Sequence, residues 1–180
     1  METINSVYLK GRVVKVYNDN VKKYIKADIM CGKRKNKIIP AVYYYETSKQ
    51  KERCMSIIKV GTFVSIRGYI AIYDSISNNN EDCVVILSYK PISYVSYTNS
   101  FAGLVTGVSN IHKNSIGKGI CCNIHVKTDK SLTLPAIAFG HVVEKLNVMK
   151  VVRNEKIARG NISVNKYRRI CLHVETLSTP

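Results

Sequence analysis

The chemistry open to this chain lies in its cations and its rings. Lys and Arg number 28 against 12 Asp and Glu, leaving a net charge of +16, and 12 tyrosines are spread along 180 residues that contain no tryptophan. An excess of that size attracts polyanions, nucleic acid first and an anionic membrane second. A cation beside a ring suits a nucleotide, because the base stacks on the ring while the phosphate meets the charge. Tyr167, preceded by Lys166 and followed by Arg168 and Arg169, is such a cluster. Tyr24 and Lys26 share the outward side of an alternating segment, and Lys33, Arg34, Lys35 and Lys37 crowd one turn. No amphipathic basic helix is visible, which argues against a membrane partner.

Catalysis and metal binding lack the spacings they need. His112, His125, His141 and His173 are scattered, with no HExxH, no nucleophile–base spacing and no Walker loop. Residues 117–119, a lysine between two glycines, are too short to cradle a phosphate and read as a hairpin turn. Acids are too sparse for the paired carboxylates of a metal-dependent nuclease. Cys31, Cys54, Cys83, Cys121, Cys122 and Cys171 form no CxxC pair, so they read as free thiols, with Cys31, Cys121 and Cys171 as small core fillers. The expectation is a protein that is not an enzyme and takes no metal and no cofactor. No run of about 18 apolar residues and no basic-then-apolar leader occurs, which predicts neither membrane span nor secretory signal and a cytoplasmic protein. The abundance of Lys, Asn, Ile and Tyr suits a bacterial, plasmid or phage source.

The elements that must carry these residues are announced by a repeat. Residues 11–17 (GRVVKVY) are echoed by 103–109 (GLVTGVS), 39–44 (IPAVYY) by 134–139 (LPAIAF), and 66–71 (IRGYIA) by 157–162 (IARGNI). The step from Gly11 to Gly103 is 92 residues, as is the step from Gly68 to Gly160. A repeat with its order preserved predicts two domains of one kind, here 1–95 and 99–180, joined through the polar stretch 93–99. Each half reads as five short strands with one helical element between the third and the fourth. In the first half these are 7–17, 24–31, 38–45, 62–73 and 83–89, with a helix over 46–58. In the second they are 101–108, 120–128, 132–139, 156–164 and 170–177, with a short helical turn at 142–146. Alternation places Ile25, Ala27, Ile29 and Cys31 on one face of the second strand. A glycine inside a strand marks a bend of the kind small barrels need. The fold class predicted is all-β, two tandem OB-folds, each a five-stranded Greek-key barrel.

The segment 134–146 (LPAIAFGHVVEKL) resembles the passage from strand 3 into the helix of bacterial and phage single-stranded-DNA-binding proteins, in which an apolar strand ends in Phe or Trp followed by Gly. Residues 61–68 (GTFVSIRG) are similar to that family's next strand, and 5–12 (NSVYLKGR) to its opening strand. Three departures stand out. Typical members carry one OB domain per chain, they stack bases on Trp, and bacterial members end in a Gly/Pro-rich linker with an acidic tip. The resemblance therefore implies a homodimer that supplies four OB domains, with no acidic C-terminal tail to recruit partners.

The resemblance also implies where rings and cations fall. The stacking aromatic of strand 3 corresponds to Tyr44 and to Phe139; that of the hairpin after strand 4 falls near Tyr73 and on Tyr167. Tyr24 with Lys26, and His125 with Lys127, occupy strand 2. Lys33, Arg34, Lys35, Lys37, Arg67, Lys156, Arg159, Lys166, Arg168 and Arg169 are expected to meet phosphates. Of Tyr43, Tyr44 and Tyr45, at least one must point into the core. The implied function is sequence-nonspecific binding and protection of single-stranded DNA in replication, recombination or transfer. Two other readings use the same residues: an RNA-binding OB protein, and an interaction or assembly module of a replication or conjugation complex.

Overall fold

The computed structural model describes residues 5–74, 80–115, 117–128 and 132–180, with the side chains of 73, 74 and 80 outside the description. The chain divides into two compact units, Val7–Asn99 and Ser100–Pro180, the latter together with Met1–Ser6. The first contains β1 (Asn5–Asp19), β2 (Tyr24–Met30), β3 (Ile38–Tyr44), α1 (Ser48–Ile57), β4 (Phe63–Asp74) and β5 (Asn80–Pro91). The second contains β6 (Thr98–Lys113), β7 (Ile120–Val126), β8 (Leu132–Ala138), α2 (His141–Val151), β9 (Lys156–Val164) and β10 (Ile170–Ser178).

Pairing makes each unit a barrel. In the first the order is β2-β3-β5-β4-β1, and a further pairing of β1 with β2 closes the ring. In the second it is β6-β7-β8-β10-β9, closed by β6 with β9. All these pairs are antiparallel except β3 with β5 and β8 with β10, which are parallel. Two five-stranded all-β barrels with one helix between their third and fourth strands are OB-folds.

Period two sets what lies inside. Ile25, Ala27 and Ile29 of β2 are buried, and Lys26, Asp28 and Met30 are partly exposed. Ile39, Val64, Ile66, Ile70 and Val84 complete that interior. The second barrel is filled by Ile124, Leu134, Ile162, Leu172 and Val174, and α2 lays Val142, Leu146 and Met149 against it at helical spacing. The recurring glycines Gly68 and Gly160 do one job twice. A Cβ at either would collide with the backbone carbonyl of the neighbouring strand, that of Val85 or of His173. Gly68 sits at a bulge of β4 and β5, and Gly160 next to one of β9 and β10. Close approach at a bend leaves no space for a side chain.

Some boundaries differ from expectation. The first strand of each unit is longer, 15 and 16 residues, because it bends to serve two partners. In β1 residues 7–12 pair with β4 and residues 12–19 with β2. The second helix runs to 11 residues rather than a single turn; its valines fall on every side and hide the period, and burial of one face decides it. α1 is shorter than 46–58 because Thr47 and Gln50 form a capping box, Gln50 N donating to Thr47 Oγ1 at 3.2 Å and Thr47 N to Gln50 Oε1 at 3.1 Å.

Cys31, Cys54, Cys83 and Cys122 are buried, and burial pushes the first three thiols up to about 12 and Cys122 to about 11. Cys121 and Cys171 correct the expectation. They lie on the outward side of β7 and β10, half-exposed, because their neighbours Cys122 and Leu172 take the inward positions. Among the described residues, no helix is long and apolar enough to cross a membrane, and no His/Cys/Asp/Glu group is arranged to hold a metal ion.

Candidate nucleic-acid interface

In an OB barrel the outward side of the second and third strands and the hairpin loops beside it form the surface open to a chain-like ligand. In the first unit that side is set by β2–β3 register: Tyr24 faces Tyr44, Lys26 faces Val42 and Asp28 faces Pro40. The run of three tyrosines resolves as the pleat requires, with Tyr45 7% exposed and Tyr44 51% exposed. Tyr43 packs edge-on against Tyr89 at 5.2 Å.

Tyr24 differs from the expectation that it stacks a base. It is 2% exposed, covered in a cluster with Val42, Cys83 and Val85 against which Tyr69 and Ala71 pack. Its ring lies 6.3 Å from Tyr17 and 6.2 Å from Tyr44, so it props two rings that do reach solvent. Tyr17, 48% exposed, is a residue the sequence reading missed. It stands opposite Lys26 only because β1 carries a bulge between Val13 and Lys15, and no local pattern announces that shift. Lys26 is itself engaged, its Nζ 2.8 Å from Glu81 Oε2. Lys33, Arg34 and Lys35 are exposed and Lys37 half-buried in the β2–β3 loop, where a one-turn 3-10 helix spans Lys35–Lys37. The backbone of Tyr73 pairs with Glu81; its side chain lies outside the description.

Arg67 is not brought to these rings. It lies on β4, which β5 separates from β3, and its guanidinium stands 5.6 Å from the Tyr8 ring. Lys10 stands over the same ring at 5.6 Å and over Tyr94 at 5.8 Å. The Ser65 hydroxyl, 3.3 Å away, and the Lys10 charge hold the Tyr8 phenol below its ordinary pKa.

In the second unit Phe139 directly follows β8 and is 42% exposed, its ring edge-on to His173 at 5.7 Å. Gly119 makes that pose available, since a Cβ there would strike the Phe139 ring. His125 faces outward, fixed by Thr133 Oγ1 at 3.1 Å on Nδ1 and Ser109 Oγ at 3.0 Å on Nε2. The β9–β10 hairpin is organised by Asn165, whose Oδ1 accepts from Tyr167 N at 2.9 Å and Arg169 N at 3.0 Å. Arg168 adopts φ 60° to close this turn. Tyr167 projects from the tip, 73% exposed, with Lys166 Nζ 5.0 Å from its ring. Arg169 reaches back and donates to the Thr133 carbonyl at 2.8 Å, so it braces the hairpin against β8.

Lys127, expected beside His125 on strand 2, and Arg159, expected to meet phosphate, stand elsewhere. Lys127 pairs with Glu155 at 2.9 Å. Arg159, like Arg67, occupies the fourth strand of its barrel, which β10 separates from β8, and its Nη1 is 3.4 Å from Ser178 Oγ. Lys156 opens that strand opposite Val105. The structure thus exposes Tyr17 and Tyr44 on one barrel, and on the other brings Tyr167, Lys166, Arg168 and Arg169 together in the β9–β10 hairpin beside Thr133, with Phe139 past the opposite end of β8.

No protein-family model and no curated protein matches the sequence. Among solved structures, the wild-type single-stranded DNA binding protein from Thermus aquaticus superposes with a TM-score of 0.70 at 12% identity, covering 98% of this chain and 92% of that one. A deletion mutant of the same protein superposes at 0.72, also at 12% identity, covering 98% and 94%. At that identity the likeness shows the fold, and it extends over nearly the whole of both chains.

Proposed function

We propose that this protein binds single-stranded nucleic acid, DNA foremost, without reading its sequence, and protects it during replication, recombination or transfer. The observation that carries the reading is that both OB barrels show exposed rings and exposed cations: Tyr167 with Lys166 over its ring and Arg168 beside it, and Phe139 at the other end of β8, on one; Tyr17 and Tyr44 at one end of β2–β3, with Lys33, Arg34, Lys35 and Lys37 in the loop at its other end, on the other. Each stacked base contributes about 1–3 kcal/mol, and each phosphate neutralised releases counterions. The fold shared with the Thermus aquaticus protein supports the same reading. The domains 1–95 and 99–180 act as two binding modules in a cytoplasmic protein, and two chains associate to present four.

Fluorescence anisotropy with labelled poly(dT), matched single-stranded RNA and duplex DNA, at low and moderate salt, tests it. Binding of dT that exceeds duplex by about tenfold and weakens with salt is the expected result. Equal, fully salt-sensitive binding to all three would refute it, and stronger binding of RNA would redirect the assignment to RNA.

A further inference from the structure

The two barrels share a register, so residues can be matched position by position. Asp28 opposes Pro40 in β2–β3, and Asn123 opposes Pro135 in β7–β8. Ala41 pairs with Val84, and Ala136 with Leu172, across the parallel pairs. Counting from those anchors, Val85 corresponds to His173, Cys83 to Cys171 and Glu81 to Arg169. The antiparallel pairs agree, because Tyr69 opposes Val85 where Asn161 opposes His173.

The matched positions differ in charge. On the first barrel the outward side of the sheet carries two carboxylates, Asp28 and Glu81, and its cation Lys26 is bonded to Glu81 at 2.8 Å. The remainder is an apolar cluster around Val42, Cys83 and Val85, all under 9% exposed. On the second barrel the same positions hold Asn123, Arg169 and His173, all partly exposed. Glu175, further along β10, accepts the Asn161 amide at 2.8 Å. A polyanion crossing the first sheet meets carboxylates where, on the second, it meets a guanidinium and a carboxamide. Desolvating a carboxylate against a phosphate is doubly unfavourable, through repulsion and through loss of water.

We infer that the two halves are unequal binding modules: the sheet of the second unit is the principal single-strand platform, while the first engages the strand only at its margins, through Tyr17 and Tyr44 at one end of β2–β3 and the basic loop at the other. This rests on the function proposed above and adds to it a division of labour. Asp28 and Glu81 are the specificity-determining groups, since they keep the phosphate chain off the centre of the first sheet.

The experiment uses the full chain and a dT oligomer of about 10 nucleotides, short enough to occupy one barrel. Titration calorimetry at fixed salt reads affinity and stoichiometry. Wild type takes one oligomer per chain tightly, with a second site at least about tenfold weaker. Asp28→Asn with Glu81→Gln, which removes the carboxylate bonded to Lys26, strengthens the weak site until two oligomers bind comparably. That gain cannot arise from misfolding. Asn123→Asp with Arg169→Glu abolishes the tight site. Two equal wild-type sites, or an Asp28→Asn/Glu81→Gln chain with unchanged affinity and stoichiometry, would overturn the inference and leave the proposed function standing. Failure of wild type to bind dT at all would overturn both.

Discussion

Replacing Phe139 by alanine separates a ring that serves a ligand from a ring that plugs a barrel. The side chain is 42% exposed, touches His173 edge-on and overlies Gly119. Its buried portion, on the order of 100 Å², contributes at most about 2.5 kcal/mol to stability at 25 cal/mol per Å². A base stacked on the exposed face contributes about 1–3 kcal/mol to binding, so Phe139→Ala weakens dT binding about 5- to 150-fold at 25 °C. Tyr24→Ala is the control. That ring is 2% exposed, and its loss destabilises the first unit by about 3–5 kcal/mol. Thermal unfolding by circular dichroism and anisotropy titrations on the same preparations place each variant on both axes. A Phe139→Ala protein that is folded and binds as tightly as wild type refutes the assignment of this ring to stacking. Phe139→Trp is expected to bind at least as tightly, because the platform is larger.

Gly119→Ala removes no ligand-facing side chain but puts a methyl against the Phe139 ring and 2.8 Å from the Ala138 carbonyl oxygen, which displaces the ring; it is expected to cost about 1–3 kcal/mol of stability and to weaken dT binding, read by melting and anisotropy. Lys166→Ala with Arg168→Ala lowers the slope of log affinity against log salt by about 0.7 for each phosphate left without its cation, in a titration across low to moderate salt. Of the six thiols, Cys121 and Cys171 alkylate first in the native protein, and bound dT slows both, as mass spectrometry after N-ethylmaleimide reports; equal labelling with and without dT removes the outward side of β7 and β10 from the interface. Raising pH from 9 towards 12 destabilises the fold, because Cys31 and Cys83, held near 12 when buried, stay protonated in the native state while the unfolded chain ionises them from about 9. Guanidinium titrations at stepped pH across that window measure the fall, and Cys83→Ala flattens it.

The domain plan was readable because repetition survives in the residues geometry forbids changing. Gly68 and Gly160 recur 92 residues apart since a Cβ at either would occupy the next strand's carbonyl, and the Pro-Ala steps of β3 and β8 recur at the same place in the register. Strand faces followed from alternation where it was read along the strand, as in β2, and failed at Cys121 of β7, whose inward place Cys122 takes. The site was less legible. Tyr44, Phe139, Tyr167 and the loop of Lys33, Arg34 and Lys35 reach solvent as expected, whereas Tyr24 is buried, Lys26 and Lys127 are paired with acids 55 and 28 residues away, and Arg67 and Arg159 lie on the fourth strands.

The kind of protein was thus written in the residues before any folding: a basic, tyrosine-rich chain of two small β barrels with a helix in each. Charge balance, period-two alternation and obligatory glycines are local or additive properties, and summing them requires no neighbours in space. Which cations stay available and which rings face outward emerged only once the barrels closed. A bulge in β1 brought Tyr17 into the site, a cross-strand pairing neutralised Lys26, and the shared register of the barrels set Glu81 against Arg169. Those outcomes depend on which strands become neighbours and in what register, and that is settled by closure of the barrel as a whole.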